Sequence, residues 1–286
     1  MSENKLVKAL KEKGKNLEAE MSFFDHLEVL RWHLIRSAVA ILVFFGIAIY
    51  FYDDIFDKVI MGPSKSSFLT YRLMCHLGEW LHRPGLCVNN IHVQLISTEM
   101  AGQFLLQINS SLLIGITLAV PYFLWELWRF IRPALHENER KAASGFVFYA
   151  SLLFLLGVGF GYFVISPLSI RFLAGFSVSS SIQNLFSIDS YLSSVATLTL
   201  ATGGVFELPI LIYILANIGI LTAKFMRSTR RYAIVIILII AAVVTPTPDM
   251  LTMTVVSIPL FVLYEVGIVV ASMVEKRKLK RANELA

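Results

Sequence analysis

The stretch Ala142–Ile170, AASGFVFYASLLFLLGVGFGYFVISPLSI, runs for 29 residues without a charged side chain. A helix rises about 1.5 Å per residue and the hydrocarbon layer of a bilayer is about 30 Å thick, so roughly 20 apolar residues suffice to cross it. An extended chain at that depth would leave N–H and C=O groups unpaired at a cost of several kcal/mol each, and the stretch lacks the alternation of a barrel strand. It reads as a transmembrane helix.

The same reading extends in both directions along the chain. Ser37–Tyr52 and Met100–Trp125 carry no charge, Ser190–Ala223 is interrupted only by Glu207, Tyr232–Pro248 by nothing, and Met250–Val274 only by Glu265. These runs predict an all-α polytopic membrane protein, a single integral membrane domain of six spans at about 34–52, 100–126, 143–166, 190–216, 232–246 and 251–273. A polar tail (1–22), a long outer loop (53–97) and a second tail (274–286) complete it. Composition agrees, since 286 residues that are 56% hydrophobic, with mean hydropathy +0.69, exceed what a soluble domain can bury.

Basic residues resist translocation, so their distribution orients the spans. Twenty of the 25 Lys and Arg fall in the two tails and in the loops Arg129–Lys141 and Lys224–Arg231; five fall on the opposite face. Both termini are therefore expected in the cytoplasm. The net charge of +5 reports this orientation and not a nucleic-acid partner. The Lys-rich first twenty residues predict no cleavable signal peptide. The two cysteines, Cys75 and Cys87, share the outer loop, where an oxidising compartment permits a disulfide and a reducing one leaves two thiols.

That outer loop contains Gly62-Pro63 and Arg83-Pro84-Gly85 and is expected to form short interfacial helices, with Leu77, Trp80 and Leu81 against headgroups. Gly157 and Gly161 in the third span have a small-xxx-small spacing, which suits close packing of spans within one chain. Tyr232–Thr245 and Met250–Tyr264 are 14 and 15 residues, short of a bilayer unless it thins around them. No internal repeat of the transporter kind is visible.

Phosphate-binding loops, His-Glu-x-x-His and Gly-x-Ser-x-Gly are all missing from the sequence, and the six histidines have no metal-ligand spacing, so neither an enzyme nor a cofactor or metal is expected. What remains is polarity in apolar surroundings. Glu207, at the middle of the fourth span before Pro209, costs about 3 kcal/mol or more if left facing lipid. It reads as a docking point for a polar group on a partner helix, as a proton relay, or as an internal hydrogen-bonding group on a side shared with Thr197, Thr199 and Thr202. Glu265 reads as a carboxylate at the membrane edge. Glu99, Gln103 and Gln107 repeat at four-residue spacing as a polar stripe on the second span, with Asn109 nearby. On the inner face, Asp25 and Glu28 precede the first span and Glu137 and Glu139 precede the third; carboxylates so placed suit an arginine-bearing peptide.

Several motifs occur together in order: His26-Leu27-Glu28-Val29-Leu30-Arg31, Pro121–Trp128 leading into Phe130-Ile131-Arg132-Pro133-Ala134-Leu135, Glu139-Arg140, Tyr162-Phe163 with Pro167-Leu168, Phe206-Glu207-Leu208-Pro209, Thr245-Pro246-Thr247-Pro248-Asp249, and Glu265. In this set the chain resembles the TatC family, the multispan core of the twin-arginine protein translocase, over about Phe24–Met273. The resemblance implies six helices in a concave, glove-like bundle. It implies a Sec-independent receptor for the twin-arginine signal peptide of folded precursors, driven by the proton-motive force in a bacterial plasma membrane. Partners so implied are single-span TatA and TatB subunits in a multimeric complex. Glu139 would engage the arginine pair, with Arg140, Phe130, Pro133 and Leu135 shaping the site and Leu30 and Arg31 forming its other wall. Glu207, with Glu99 and Gln103, would face partner helices, and Pro246, Pro248 and Asp249 would form an outer structural turn. Where the family has Glu two places before the N-terminal Arg, this chain has Val29, with Glu28 one step, or about 100° of helix, away. The alternative to this reading is a secondary transporter or proton channel using Glu207 as a relay.

Overall fold

Apolar runs become helices throughout. The computed structural model describes residues 23–80, 82, 93–132, 145–179, 181, 184–245 and 250–285. Its helices are α1 (Phe23–Tyr50), α2 (Tyr52–Ile55), α3 (Leu69–Trp80), α4 (Gly102–Ile131), α5 (Phe146–Phe160), α6 (Ser166–Gly175), α7 (Ile188–Phe206), α8 (Leu208–Ile218), α9 (Ala223–Ser228), α10 (Arg230–Val244) and α11 (Met250–Leu285). Five helical segments are long and apolar enough to cross a membrane: Leu27–Tyr50, Gly102–Ile131, Val147–Gly175, Ile188–Ile218 and Thr252–Lys280.

The fifth predicted span corresponds to α10, whose 15 residues reach only about 22 Å. It is as short as the sequence indicates. The last span differs from expectation, because α11 continues through Glu265 for 36 residues. A single carboxylate does not end a helix when its charge is met, and Arg230 Nη2, at the start of α10, lies 2.6 Å from Glu265 Oε2.

The third span bends without stopping. A π-helical turn, Gly161–Ile165, joins α5 to α6 ahead of Pro167. Proline cannot donate to the carbonyl four residues earlier, which frees Phe163 C=O. The Thr70 hydroxyl on α3 donates to that carbonyl, while Ser166 Oγ donates to Gly161 C=O at 2.9 Å. Helix bend and outer loop are thus locked together.

Outer segments dock on this bend instead of lying free. The buried Tyr71 hydroxyl is shared between Pro63 C=O (3.0 Å) and Pro167 C=O (2.9 Å), and burial pushes its pKa up. Tyr191 donates to Ile60 C=O at 2.8 Å, and a short parallel pair, Leu95–Ile96 (β1) with Phe186–Ser187 (β2), ties two outer connections together. Trp80 is 77% exposed, while the Leu77 side chain and Leu81 lie outside the described residues. Cys75 is disulfide-bonded; Cys87, the only other cysteine in the sequence, lies outside the described residues.

Gly157 and Gly161 pack within the chain. A Cβ on Gly161 would come within 2.9 Å of Leu198 C=O and the Thr199 Cα, and one on Gly157 within 2.7 Å of Phe206. Both therefore seat α5 and its π-turn against α7, as small residues do where helix backbones approach closely. The main core forms beside this contact from Ile165, Leu198, Phe206, Ile237, Ala241, Val256, Leu260 and Leu263.

Candidate functional site

The predicted inner-face site begins on α1 and α4, which pack antiparallel. Gly115 at the middle of α4 admits the Phe45 backbone, where an added Cβ would sit 2.8 Å from Phe45 N. From this crossing the α1 N-terminal half runs alongside the C-terminal half of α4.

There the two helices share a buried carboxylate, Glu126, which is 1% exposed. His33 Nδ1 donates to its Oε2; Tyr122 Oη donates to its Oε1 at 3.1 Å, and Arg129 Nη1 to the same oxygen at 3.3 Å. Arg36 Nη1 lies 3.9 Å from Oε2. The Arg129 guanidinium also sits 4.9 Å from the centre of the Trp125 ring, and Phe130 meets His33 edge-on at 6.1 Å. One carboxylate is therefore enclosed by an imidazole, two arginines and a phenol. Such enclosure is what makes a buried charge tolerable, since unpaired it would cost several kcal/mol.

Sequence reasoning did not single out His33, Arg36, Tyr122, Glu126 or Arg129. A local signal was present: Tyr122, Glu126 and Arg129 stand at i−4, i and i+3, neighbours on one helix face. The uncharged run that defines the second span ends at Trp125, and Glu126 was passed over as its boundary.

Around this clamp, the predicted site residues divide. Glu28 and Arg31 are exposed on α1, about one and a half turns and half a turn before His33, and Leu30 is half-buried. Phe130 is half-buried on α4, in contact with His33. Pro133, Leu135, Glu137, Glu139 and Arg140, together with Pro246, Pro248 and Asp249, lie outside the described residues, as does the Asp25 side chain.

The second predicted locus is Glu207. It forms the junction between α7 and α8, with Pro209 in the first turn of α8. Glu207 Oε1 is buried and has no hydrogen-bond partner among the described residues. The expected polar side does not form around it. Thr199 and Thr202 are buried, with Thr202 bonded to Leu198 C=O at 2.6 Å and both packed on Gly161, while Thr197 is exposed. The reason is angular, because Thr197 and Thr199 are two residues and so about 200° apart on the helix.

The stripe on α4 is open to its surroundings, with Gln103 and Asn109 exposed and Gln107 half-buried. Glu99 precedes the helix, in a turn closed by Gly102 N–H on its carbonyl at 3.1 Å. Glu265 is committed to Arg230, as described. No group of three or more His, Cys, Asp or Glu is arranged to hold a metal among the described residues.

Comparisons with known proteins agree with this architecture. Residues 25–259 match the family described as Sec-independent protein translocase protein (TatC). The Sec-independent protein translocase protein TatC of Blattabacterium sp. subsp. Periplaneta americana is 37% identical over 268 residues, covering 92% of this chain and 100% of that protein. The protein of the same name from Deinococcus radiodurans is 36% identical, covering 88% and 86%. A crystal structure of the twin-arginine translocase receptor TatC superposes with TM-score 0.64 at 33% identity, covering 87% of this chain and 99% of that one. A second, of the same receptor in DDM, gives 0.65 at 34% identity.

Proposed function

The chain belongs to the TatC family of Sec-independent protein translocases, and on that footing we propose that it reads the twin-arginine signal peptide of folded precursors at the paired inner ends of α1 and α4. It is a transport component, not a catalyst. Family membership favours the translocase over a secondary transporter or proton channel.

The observation that carries the proposal is the Glu126 clamp. It holds the α1 segment bearing Glu28, Leu30 and Arg31 beside Phe130, shortly before Glu139 in sequence. Glu126 itself is occupied by three donors and buried, so it is not the acid that meets an incoming arginine pair; in this reading, as the family resemblance implies, Glu139 and Glu28 take that part. Arg140, Pro133 and Leu135 shape the same wall.

Both termini are in the cytoplasm of a bacterial plasma membrane in this reading, so the site faces arriving cargo. Docking by charge is followed by insertion of the apolar part of the signal peptide, and TatA- and TatB-type single-span subunits are recruited to Glu207, with Gln103 and Glu99 as outer polar contacts. Glu207 Oε1, buried without a hydrogen-bond partner among the described residues, supports this, since a buried acceptor gains most from a donor brought by a partner. The proton-motive force supplies the energy.

Capture of a folded precursor by the chain in membranes tests the proposal, comparing an Arg-Arg signal with its Lys-Lys variant. The Arg-Arg precursor is retained and the Lys-Lys one released; equal retention overturns the reading.

A further inference from the structure

A cavity of about 360 Å³ opens on the apolar surface where α5, α8 and α11 meet. Its walls among the described residues include Leu153 on α5, Pro209 and Tyr213 on α8, and Val266 and Val270 on α11, with Arg277 at one end. The walls are apolar for almost their whole length, and Glu207 is not among them.

Its shape selects the kind of occupant. From Val266 to Arg277 along α11 is eleven residues, or about 16 Å at the helical rise. A helix about 10 Å wide fills roughly 1,250 Å³ over that length, more than three times the volume of this cavity. A partner helix is about 10 Å wide with its side chains and does not enter such a slot. A single hydrocarbon chain does, because its carbons need only the 3.5–4.0 Å of van der Waals contact.

Charge at the mouth selects the headgroup. In the run Glu275–Lys278 two side chains are engaged with neighbouring helices. Glu275 Oε1 accepts from Ala223 N–H at 2.8 Å, and Lys278 Nζ donates to Ala216 C=O and Asn217 C=O at 3.2 and 2.5 Å. Arg277 is exposed, closes the end of the slot, and has no ion pair among the described residues. It lies near the end of the Thr252–Lys280 span, at the depth where a phosphate would stand above its own acyl chain.

We propose that the α5–α8–α11 slot binds one acyl chain of an anionic phospholipid, whose phosphate is held by Arg277. Guanidinium suits this task because its planar donors match two phosphate oxygens at once, and in an anionic lipid, unlike phosphatidylcholine, no cation of the same headgroup offsets that phosphate charge. The bound lipid fills the space between the α5 and α11 surfaces and makes the packing of these spans depend on the lipid.

The test uses the full chain purified in mild detergent and exposed to phosphatidylglycerol or phosphatidylcholine with identical acyl chains, with retained lipid counted by native mass spectrometry. Phosphatidylglycerol is retained at least tenfold over phosphatidylcholine. Arg277→Glu brings the two to the same level, and Val270→Trp, which fills the slot, lowers both. Equal retention of the two lipids by the unaltered chain, or retention of phosphatidylglycerol unchanged by Arg277→Glu, overturns the proposal. So does a single-span polypeptide displaced by Val270→Trp while the lipid count stays the same. Arg277 is exposed, so its variant decides the matter even if Val270→Trp fails to fold.

Discussion

His33 on α1 and Glu126 on α4, 93 residues apart in sequence, are joined by a hydrogen bond from Nδ1 to a carboxylate oxygen that is otherwise sealed from solvent. This bond, with Arg36 and Arg129 beside it, joins the first two spans at the end where the proposed signal-peptide site is built. It turns a contact between two apolar helices into one with a defined register.

Removing that carboxylate leaves two arginines and an imidazole without their common acceptor. Glu126→Ala is expected to cost about 3 kcal/mol, the range for breaking a buried ion pair from one side. Thermal unfolding in detergent measures it, together with disulfide crosslinking between cysteines placed on α1 and α4. A loss below about 1 kcal/mol with unchanged crosslinking would show that apolar packing alone holds the pair.

Signal-peptide contact should depend unequally on the two proposed acids. Glu139→Ala abolishes photocrosslinking to a twin-arginine signal peptide, whereas Glu28→Ala reduces it severalfold, because Glu28 is turned about 100° from the family position. Equal and negligible effects of the two changes would refute the assignment.

Glu207 has one buried carboxylate oxygen with no hydrogen-bond partner among the described residues, so burying it costs desolvation that no bond there offsets. Glu207→Leu is expected to leave the unfolding temperature unchanged or raise it, by up to about 1–3 kcal/mol of relieved desolvation. The same variant should lose association with single-span subunits in pull-downs. A marked drop in stability would mean that the carboxyl serves the fold and not a partner.

At Gly161 the space for a side chain is already taken by Leu198 C=O and Thr199. Gly161→Val therefore forces α7 away from the π-turn and should destabilise by about 1–3 kcal/mol, the usual cost of overpacking. Gly159, where nothing lies within 4 Å, is the control, and its Ala variant should unfold like the parent.

The Arg230–Glu265 pair is short but its side chains are 47% and 34% exposed. Glu265→Gln should accordingly cost only about 0.2–1 kcal/mol, well below Glu126→Ala. A comparable loss at both positions, read from parallel unfolding curves, would mean that the α10–α11 contact depends on this charge.

Much of the molecule was legible before any coordinates. Six apolar runs became helices, Gly157 and Gly161 packed spans within one chain, and the short fifth span is short. The last span was placed at about 251–273 with its part before Glu265 read as too short to cross, because an isolated carboxylate looks like a membrane edge when its partner is out of view. The three threonines upstream of Glu207 were read as one polar side, and the helix divides them.

The sequence by itself determined that the chain forms membrane-spanning helices and to which family it belongs. Spanning is a local property, since about 20 consecutive apolar residues fix the transfer free energy whatever lies beside them. Only the tertiary structure decided which polar side chains find each other: His33 with Glu126, Arg230 with Glu265, Thr70 with the carbonyl that Pro167 frees. Those pairings depend on the rotation and tilt of each helix against its neighbours, set by close approaches such as Gly115 on Phe45, and hydropathy along a chain contains no information about rotation around it.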